Sequence, residues 1–128
     1  MFQSIGKTKM SLSINLLVLR CREIEQSRQF YEKLGLKFIK EKHGSGPAHY
    51  SADVDGLVLE LYPAKEHEQP DNCRLGFCCA FIADISGELI HDKNIRVVEG
   101  MHERNGALVV VVADPDGRSV EISQKLHF

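Results

Sequence analysis

Two glutamates occupy the same place in two similar stretches of this chain. One stretch runs Asp53-Val54-Asp55-Gly56-Leu57-Val58-Leu59-Glu60-Leu61, the other Asp114-Pro115-Asp116-Gly117-Arg118-Ser119-Val120-Glu121-Ile122. Both read D-x-D-G-x-x-apolar-E-apolar, and 114 − 53 and 121 − 60 both give 61. Strand alternation sets Leu57, Leu59 and Leu61 against Val58, Glu60 and Tyr62, and Val120 and Ile122 against Ser119, Glu121 and Ser123. A carboxylate turned into an apolar cavity is costly when charged and unpaired, which is how general acids and bases near neutrality are made. The alternative is pairing: Arg20, on the same strand face as Leu16 and Val18, is placed to neutralise one glutamate. His49 is the third candidate. It shares the segment EKHGSGPAHY with His43, across a Gly-Ser-Gly-Pro turn. Imidazoles on a glycine-rich hairpin at a cavity mouth suit proton transfer or metal capture; the plainer reading is two histidines beside an exposed turn. His67, His91, His102 and His127 lie in polar segments and read as surface residues.

The elements that must position these groups follow the same repeat. Residues 14–20 read as a strand, 23–34 as a helix stopped by Gly35, 36–42 and 47–53 as a hairpin, and 57–62 as a fourth strand. In the second copy 74–82 is a strand, Asp84 caps a short helix to about His91, 95–99 and 106–113 flank a turn at Arg104-Asn105-Gly106, and 118–124 is the last strand. A shift of 61 also pairs Ile14 with Leu75, Ile24 with Ile85, Leu34 with Ile95 and Leu36 with Val97. The chain therefore reads as one α+β domain of two tandem βαβββ modules, 13–63 and 74–125, with residues 1–12 as a loose tail (Met10 an alternative start) and 64–73 as an exposed linker. Each helix buries its apolar stripe on one face of its sheet and leaves the other face free. On the free faces Arg20, Tyr62, Ser119 and Ser123 would orient a polar group. Leu16, Val18, Val58, Phe77, Cys79 and Phe81 would supply apolar walls around a small molecule.

Composition removes other classes. The 128 residues are 43% hydrophobic and carry a net charge of −2, which gives no footprint for nucleic acid or an anionic membrane. No apolar run approaches the roughly 18–20 residues of a membrane span, and the N-terminus lacks the core of a secretory signal. Cys21, Cys73, Cys78 and Cys79 have no CxxC spacing and read as reduced, mostly buried thiols of a cytoplasmic protein. No P-loop, GxSxG, HExxH or dinucleotide fingerprint is present.

A strand followed by E-x-x-x-S-x-x-F-Y-x-x-L-G-L (Glu23, Ser27, Phe30-Tyr31, Leu34-Gly35-Leu36) and a closing D-P-D-G-x-x-apolar-E (Asp114 to Glu121) resembles the vicinal-oxygen-chelate superfamily, which includes glyoxalase I, extradiol dioxygenases and bleomycin-resistance proteins. The resemblance covers about residues 14–124, and EKHGSGPAHY is similar to segments in some members. It implies paired βαβββ modules whose sheets enclose a ligand cavity, and a homodimer. It implies metal ligands from the first and last strand of each module. Glu60 and Glu121 match the last-strand positions. The first-strand positions fall on Leu16 and Phe77, which have no donor atoms. The resemblance thus implies first a resistance-type binder of a small organic molecule, with no cofactor assigned. The alternative is a glyoxalase-like lyase or isomerase in which Glu60 and Glu121, with His49 near, serve catalysis and hold zinc, nickel, manganese or iron. A dimerising structural module is the third reading.

Overall fold

The structure, a computed structural model, describes residues 11–126; the expected tail, apart from residues 11 and 12, and His127 lie outside them. The first module runs β1 (Leu16–Cys21), α1 (Ile24–Glu32), β2 (Ile39–Glu41), β3 (His49–Val54) and β4 (Leu57–Pro63). The second runs β5 (Leu75–Cys78), α2 (Ala83–His91), β6 (Arg96–Arg104), β7 (Ala107–Ala113) and β8 (Ser119–Lys125). Each forms its own mixed sheet, in the order β1-β4-β3-β2 and β5-β8-β7-β6. The outer pair β1–β4, like β5–β8, is parallel and the rest antiparallel. Asp55-Gly56 and Asn105-Gly106 turn their hairpins with positive φ at both residues, the geometry that matches strand twist.

One core joins the modules. Leu19, Cys21, Tyr50, Leu59 and Leu61 from the first sheet and Leu75, Val110, Val112, Val120 and Ile122 from the second meet around Phe30 and Tyr31 of α1 and Ile82 and Leu89 of α2. Both helix-covered faces thus point inward, and the two glutamate-bearing faces lie outside the shared core. Among the described residues no helix is long and apolar enough to cross a membrane.

Several expectations change. The strand read over 74–82 ends at Cys78, with one more backbone bond, from the Cys79 N–H to the Ser123 carbonyl at 2.8 Å, before the turn into α2. Helix α2 starts at Ala83 behind Ile82, with no side-chain cap, so Asp84 lies in the first turn and caps nothing. Strand β6 runs to Arg104, five residues beyond the expected end, with bulges near Glu99. Of the four thiols only Cys21 is buried, and Cys78 is exposed. The linker is anchored: Asp71 accepts hydrogen bonds from the Arg118 Nε (2.7 Å) and from the Arg20 backbone N–H (3.1 Å).

The repeat is not uniform either. Val18 registers with Glu60, and Gly76 with Glu121. Between these positions the first module spans 60 − 18 = 42 residues and the second 121 − 76 = 45. The shift is therefore 61 between β4 and β8 but 58 between β1 and β5, and Phe77 is the counterpart of Leu19, not of Leu16. Phe77 packs on the core side, its ring 6.4 Å from that of Tyr31, and is not a wall of the free face. Cys79 likewise packs against the core, and Phe81 is exposed outside the strand.

Candidate functional site

Ladder register builds two polar rungs across the free face of the first sheet. Side chains of registered residues on neighbouring strands share a face. One rung is Ile39, Ser51, Glu60 and Val18; the next is Glu41, His49, Tyr62 and Arg20. Leu16 and Val58 register with each other on the rung beyond Glu60. The strands thus bring Leu16, Arg20, His49, Glu60 and Tyr62 together on one surface, with the glutamate at its centre.

His49 organises this surface. It is 1% exposed, and its ring stacks on Tyr62 with centroids 4.1 Å apart and planes 9° from parallel. Nδ1 lies 3.3 Å from the Pro47 carbonyl oxygen, and Nε2 lies 3.3 Å from the Tyr62 hydroxyl. Nε2 lies 3.3 Å from Glu41 Oε1 and 3.9 Å from Glu60 Oε2. The Arg20 guanidinium sits 5.0 Å above the Tyr62 ring, a cation–π position, and pairs with neither Glu60 nor Glu121. Glu41 carries no signal of its own in the sequence. Its alternation with His43, facing His49 across a glycine turn, is the pattern that marks it.

The equivalent face of the second module is arranged differently. Arg104 Nη2 donates to Glu121 Oε1 at 2.5 Å, and its Nη1 lies 3.9 Å from Glu99. Arg74 and Gly76 join Glu121 around a hollow of about 170 Å³. Ser119 is half-buried at the start of β8, on the Glu121 face. Its partner across the ladder is Ala113. Glu60 and Glu121 are thus equivalent in place and unlike in partners: a buried imidazole for one, an arginine for the other. A larger cleft, about 600 Å³, opens away from both carboxylates, between α1 (Gln26, Gln29, Lys33) and the 94–96 and 113–117 segments.

The closing D-P-D-G-R segment holds the modules together. Arg118 is 1% exposed and pairs with Asp71, Asp114 and Asp116, and it also donates to the Arg20 carbonyl. Burial works against its charge, but the hydrogen bonds to Asp71 and Asp114 hold its pKa above the ordinary arginine value. Asp114 also accepts from Tyr31 Oη at 2.7 Å and from the backbone N–H groups of Asp116 and Arg118. Burial and the carboxylate beside it push the Tyr31 hydroxyl upward, and burial pushes the Cys21 thiol up to about 11.

A family model described as a glyoxalase-like domain matches residues 14–127. The chain belongs to that family. Virulence protein STM3117 of Salmonella typhimurium is 31% identical over 120 residues, 87% of this chain and 83% of its own. Its crystal structure superposes with a TM-score of 0.71 at 26% identity, covering 91% of this chain and 98% of the other. The glyoxalase domain-containing protein RDO1 of Mycosarcoma maydis is 29% identical over 119 residues, 87% and 67% of the two chains. TnmS3, an antibiotic-binding protein from Streptomyces sp. CB03234, shares the fold with a TM-score of 0.72 at 16% identity, over 90% of this chain and 97% of its own. The fold of this glyoxalase-like chain is the α+β architecture of these neighbours, in which two sheets cup a cavity.

The metal cage that the superfamily implies does not fit this glyoxalase-like chain at its strand positions. The β1 residue that registers with Glu60 is Val18, and the β5 residue that registers with Glu121 is Gly76; neither has a donor atom. Glu121 is already charge-paired with Arg104. Two carboxylates on separate sheets, one neutralised, make a poor cation cage.

Proposed function

We propose that this protein binds a small, largely apolar organic molecule bearing hydrogen-bonding oxygens on the Glu60 face of its first module. The Glu121 face of a second copy would close the cavity over it. One observation carries the reading: the free face holds an acceptor (Glu60), a cation lying over a ring (Arg20) and a stacked His49–Tyr62 pair, beside Leu16, Val18 and Val58. That mixture of apolar wall and convergent polar groups is what small-molecule sites require. TnmS3, an antibiotic-binding protein that shares the fold, supports antibiotics as the first molecules to try, and the flat His49–Tyr62 stack favours planar ones.

The test is a thermal-shift screen of planar aromatic antibiotics on the wild type, Arg20→Ala and Glu60→Gln, followed by calorimetric titration of any hit. Binding to the native state raises Tm by mass action. A hit is expected to bind at least about tenfold more weakly to one variant, the loss of one charge-assisted hydrogen bond of about 1.5–3 kcal/mol. Hits that bind both variants as tightly as the wild type place the site elsewhere and overturn the reading.

The second reading is a lyase or isomerase acting next to a carbonyl. The 18% exposure of the Glu60 side chain, with the buried His49 ring 3.9 Å away, favours it, since Glu60 can reach a bound carbon acid. Glu60 would take the proton and Arg20 would orient the carbonyl oxygen. Deuterium uptake from D2O next to the carbonyl of a 2-oxoaldehyde–thiol adduct, lost in Glu60→Gln, is the expected signature; its absence in the wild type overturns this reading.

A further inference from the structure

The geometry points to a transition-metal site on the β2–β3 hairpin, with Glu41, His43 and His49 as ligands and Glu60 flanking, separate from the strand positions the superfamily uses. One ligand atom from each of Glu41, His43 and His49 lies within 4.8 Å of the others. His43 Nε2 is 3.9 Å and His49 Nε2 3.3 Å from the same Glu41 Oε1. Two ligands each about 2.0–2.1 Å from a tetrahedral zinc stand roughly 3.3 Å apart, so small side-chain adjustments would seat an ion between them. Two imidazoles and one carboxylate, with further positions open, suit Zn²⁺ or Fe²⁺ rather than Mg²⁺ or Ca²⁺.

The second observation is the state of His49. Its Nδ1 faces the Pro47 carbonyl oxygen at 3.3 Å, so with Nε2 on a metal the Nδ1–H would make the outer hydrogen bond that orients metal-binding histidines. Its Nε2 faces two carboxylates, Glu41 at 3.3 Å and Glu60 at 3.9 Å, beside the Tyr62 hydroxyl at 3.3 Å, and the His49 side chain is 2% exposed. Two carboxylates beside a buried ring nitrogen favour a cation there. A proton or a metal ion can be that cation. The hairpin favours the metal by returning a second imidazole: Gly44 takes φ +59, and the Gly46 N–H closes the turn on the His43 carbonyl at 3.0 Å. This sets the His43 ring 5.3 Å from that of His49. A Cβ at Gly46 would stand 3.1 Å from the His43 carbonyl oxygen, so a side chain there would strain the turn.

The test is titration of the full chain, stripped by chelator, with Co²⁺ followed by visible absorption and with Zn²⁺ followed by calorimetry. Four variants are compared: His43→Ala, Glu41→Gln, His102→Ala and Arg20→Ala. The His43 side chain is 76% exposed, so its replacement leaves the core intact. The expected result is one Co²⁺ per chain, with d–d bands but no thiolate charge-transfer band. Affinity should fall more than about tenfold in His43→Ala and Glu41→Gln and stay unchanged in His102→Ala and Arg20→Ala. No uptake at micromolar metal, thiolate bands, or undiminished affinity in His43→Ala would each overturn the site. Arg20→Ala separates this site from the ligand reading, because that substitution removes a ligand contact and leaves all three metal ligands in place.

Discussion

At the scale of single residues, the two glutamates show how one sequence position can have two fates. Alternation along β4 and β8 is enough to turn Glu60 and Glu121 away from the core, because their neighbours Leu59, Leu61, Val120 and Ile122 are buried at 0–1% exposure. What each glutamate meets comes from distant strands: Arg104 reaches Glu121 from β6, and His49 approaches Glu60 from β3. No local pattern encodes those partners. The same holds for Arg118, which occupies an unremarked place in the second D-x-D-G stretch, where the first copy has Leu57. Its side chain and those of Asp114 and Asp116 are 0%, 0% and 2% exposed. Arg118→Met would leave Asp114 charged and buried without its cation, which costs about 3–5 kcal/mol, while Asp116 keeps the exposed Arg22 3.6 Å away. Urea denaturation should show the midpoint falling with little change in slope. A variant within about 1 kcal/mol of the wild type would show that the cluster is structurally dispensable.

At the scale of elements, the existence and order of the strands were legible because β4 and β8 keep a period of two while β1 and β7 are runs of leucine and valine, and the hairpin turns were legible because Asp-Gly and Asn-Gly admit positive φ. The register between copies was not. A period-two pattern does not count residues inserted before the next element, so the three extra residues between β5 and β8 left the pattern intact while moving Phe77 to the other face. The anchor in the linker was hidden for a related reason: AKEHEQPDN is polar throughout, and polarity does not distinguish a solvated carboxylate from Asp71, bound to Arg118 and to the Arg20 backbone. Burial alone would raise the Asp71 pKa, but Arg118 and the Arg20 N–H outweigh it and bring it from 3.8 to about 2. A carboxylate depressed on folding adds stability that is present above its unfolded pKa and lost as pH falls through its folded one. The linker's hold is therefore complete above about pH 4 and lost between about pH 4 and pH 2. Asp71→Asn is expected to lower Tm at pH 7 and to flatten its fall across that acid window. An unchanged acid limb in the variant would assign the acid sensitivity to other carboxylates.

At the scale of the whole molecule, the placement of the core determines what a second copy would do. Both helix-covered faces are spent on the shared core, so the two glutamate faces cannot close on each other within one chain through the same packing. Apolar side chains remain uncovered around them: Leu16 is 50% exposed, Ile39 on the Glu60 rung 69%, and Val98 and Met101 on β6 are 41% and 39% exposed. A dimer that sets the Glu60 face of one copy against the Glu121 face of the other would cover these groups and enclose one cavity at each of two equivalent interfaces. A stable interface of this kind buries about 1,200–2,000 Å². The wild type, 14.4 kDa per chain, is expected to scatter light as a dimer at micromolar concentration. Leu16→Asp combined with Ile39→Asp places two charges in each interface while touching no core residue. That variant should run as a folded monomer with an unchanged far-ultraviolet dichroism spectrum, and it should lose the ligand-induced rise in Tm if the cavity needs both copies. A wild type that is monomeric, or a charged variant that still dimerises, would mean that the Glu60 face works without a second chain and that ligands reach it from open solvent.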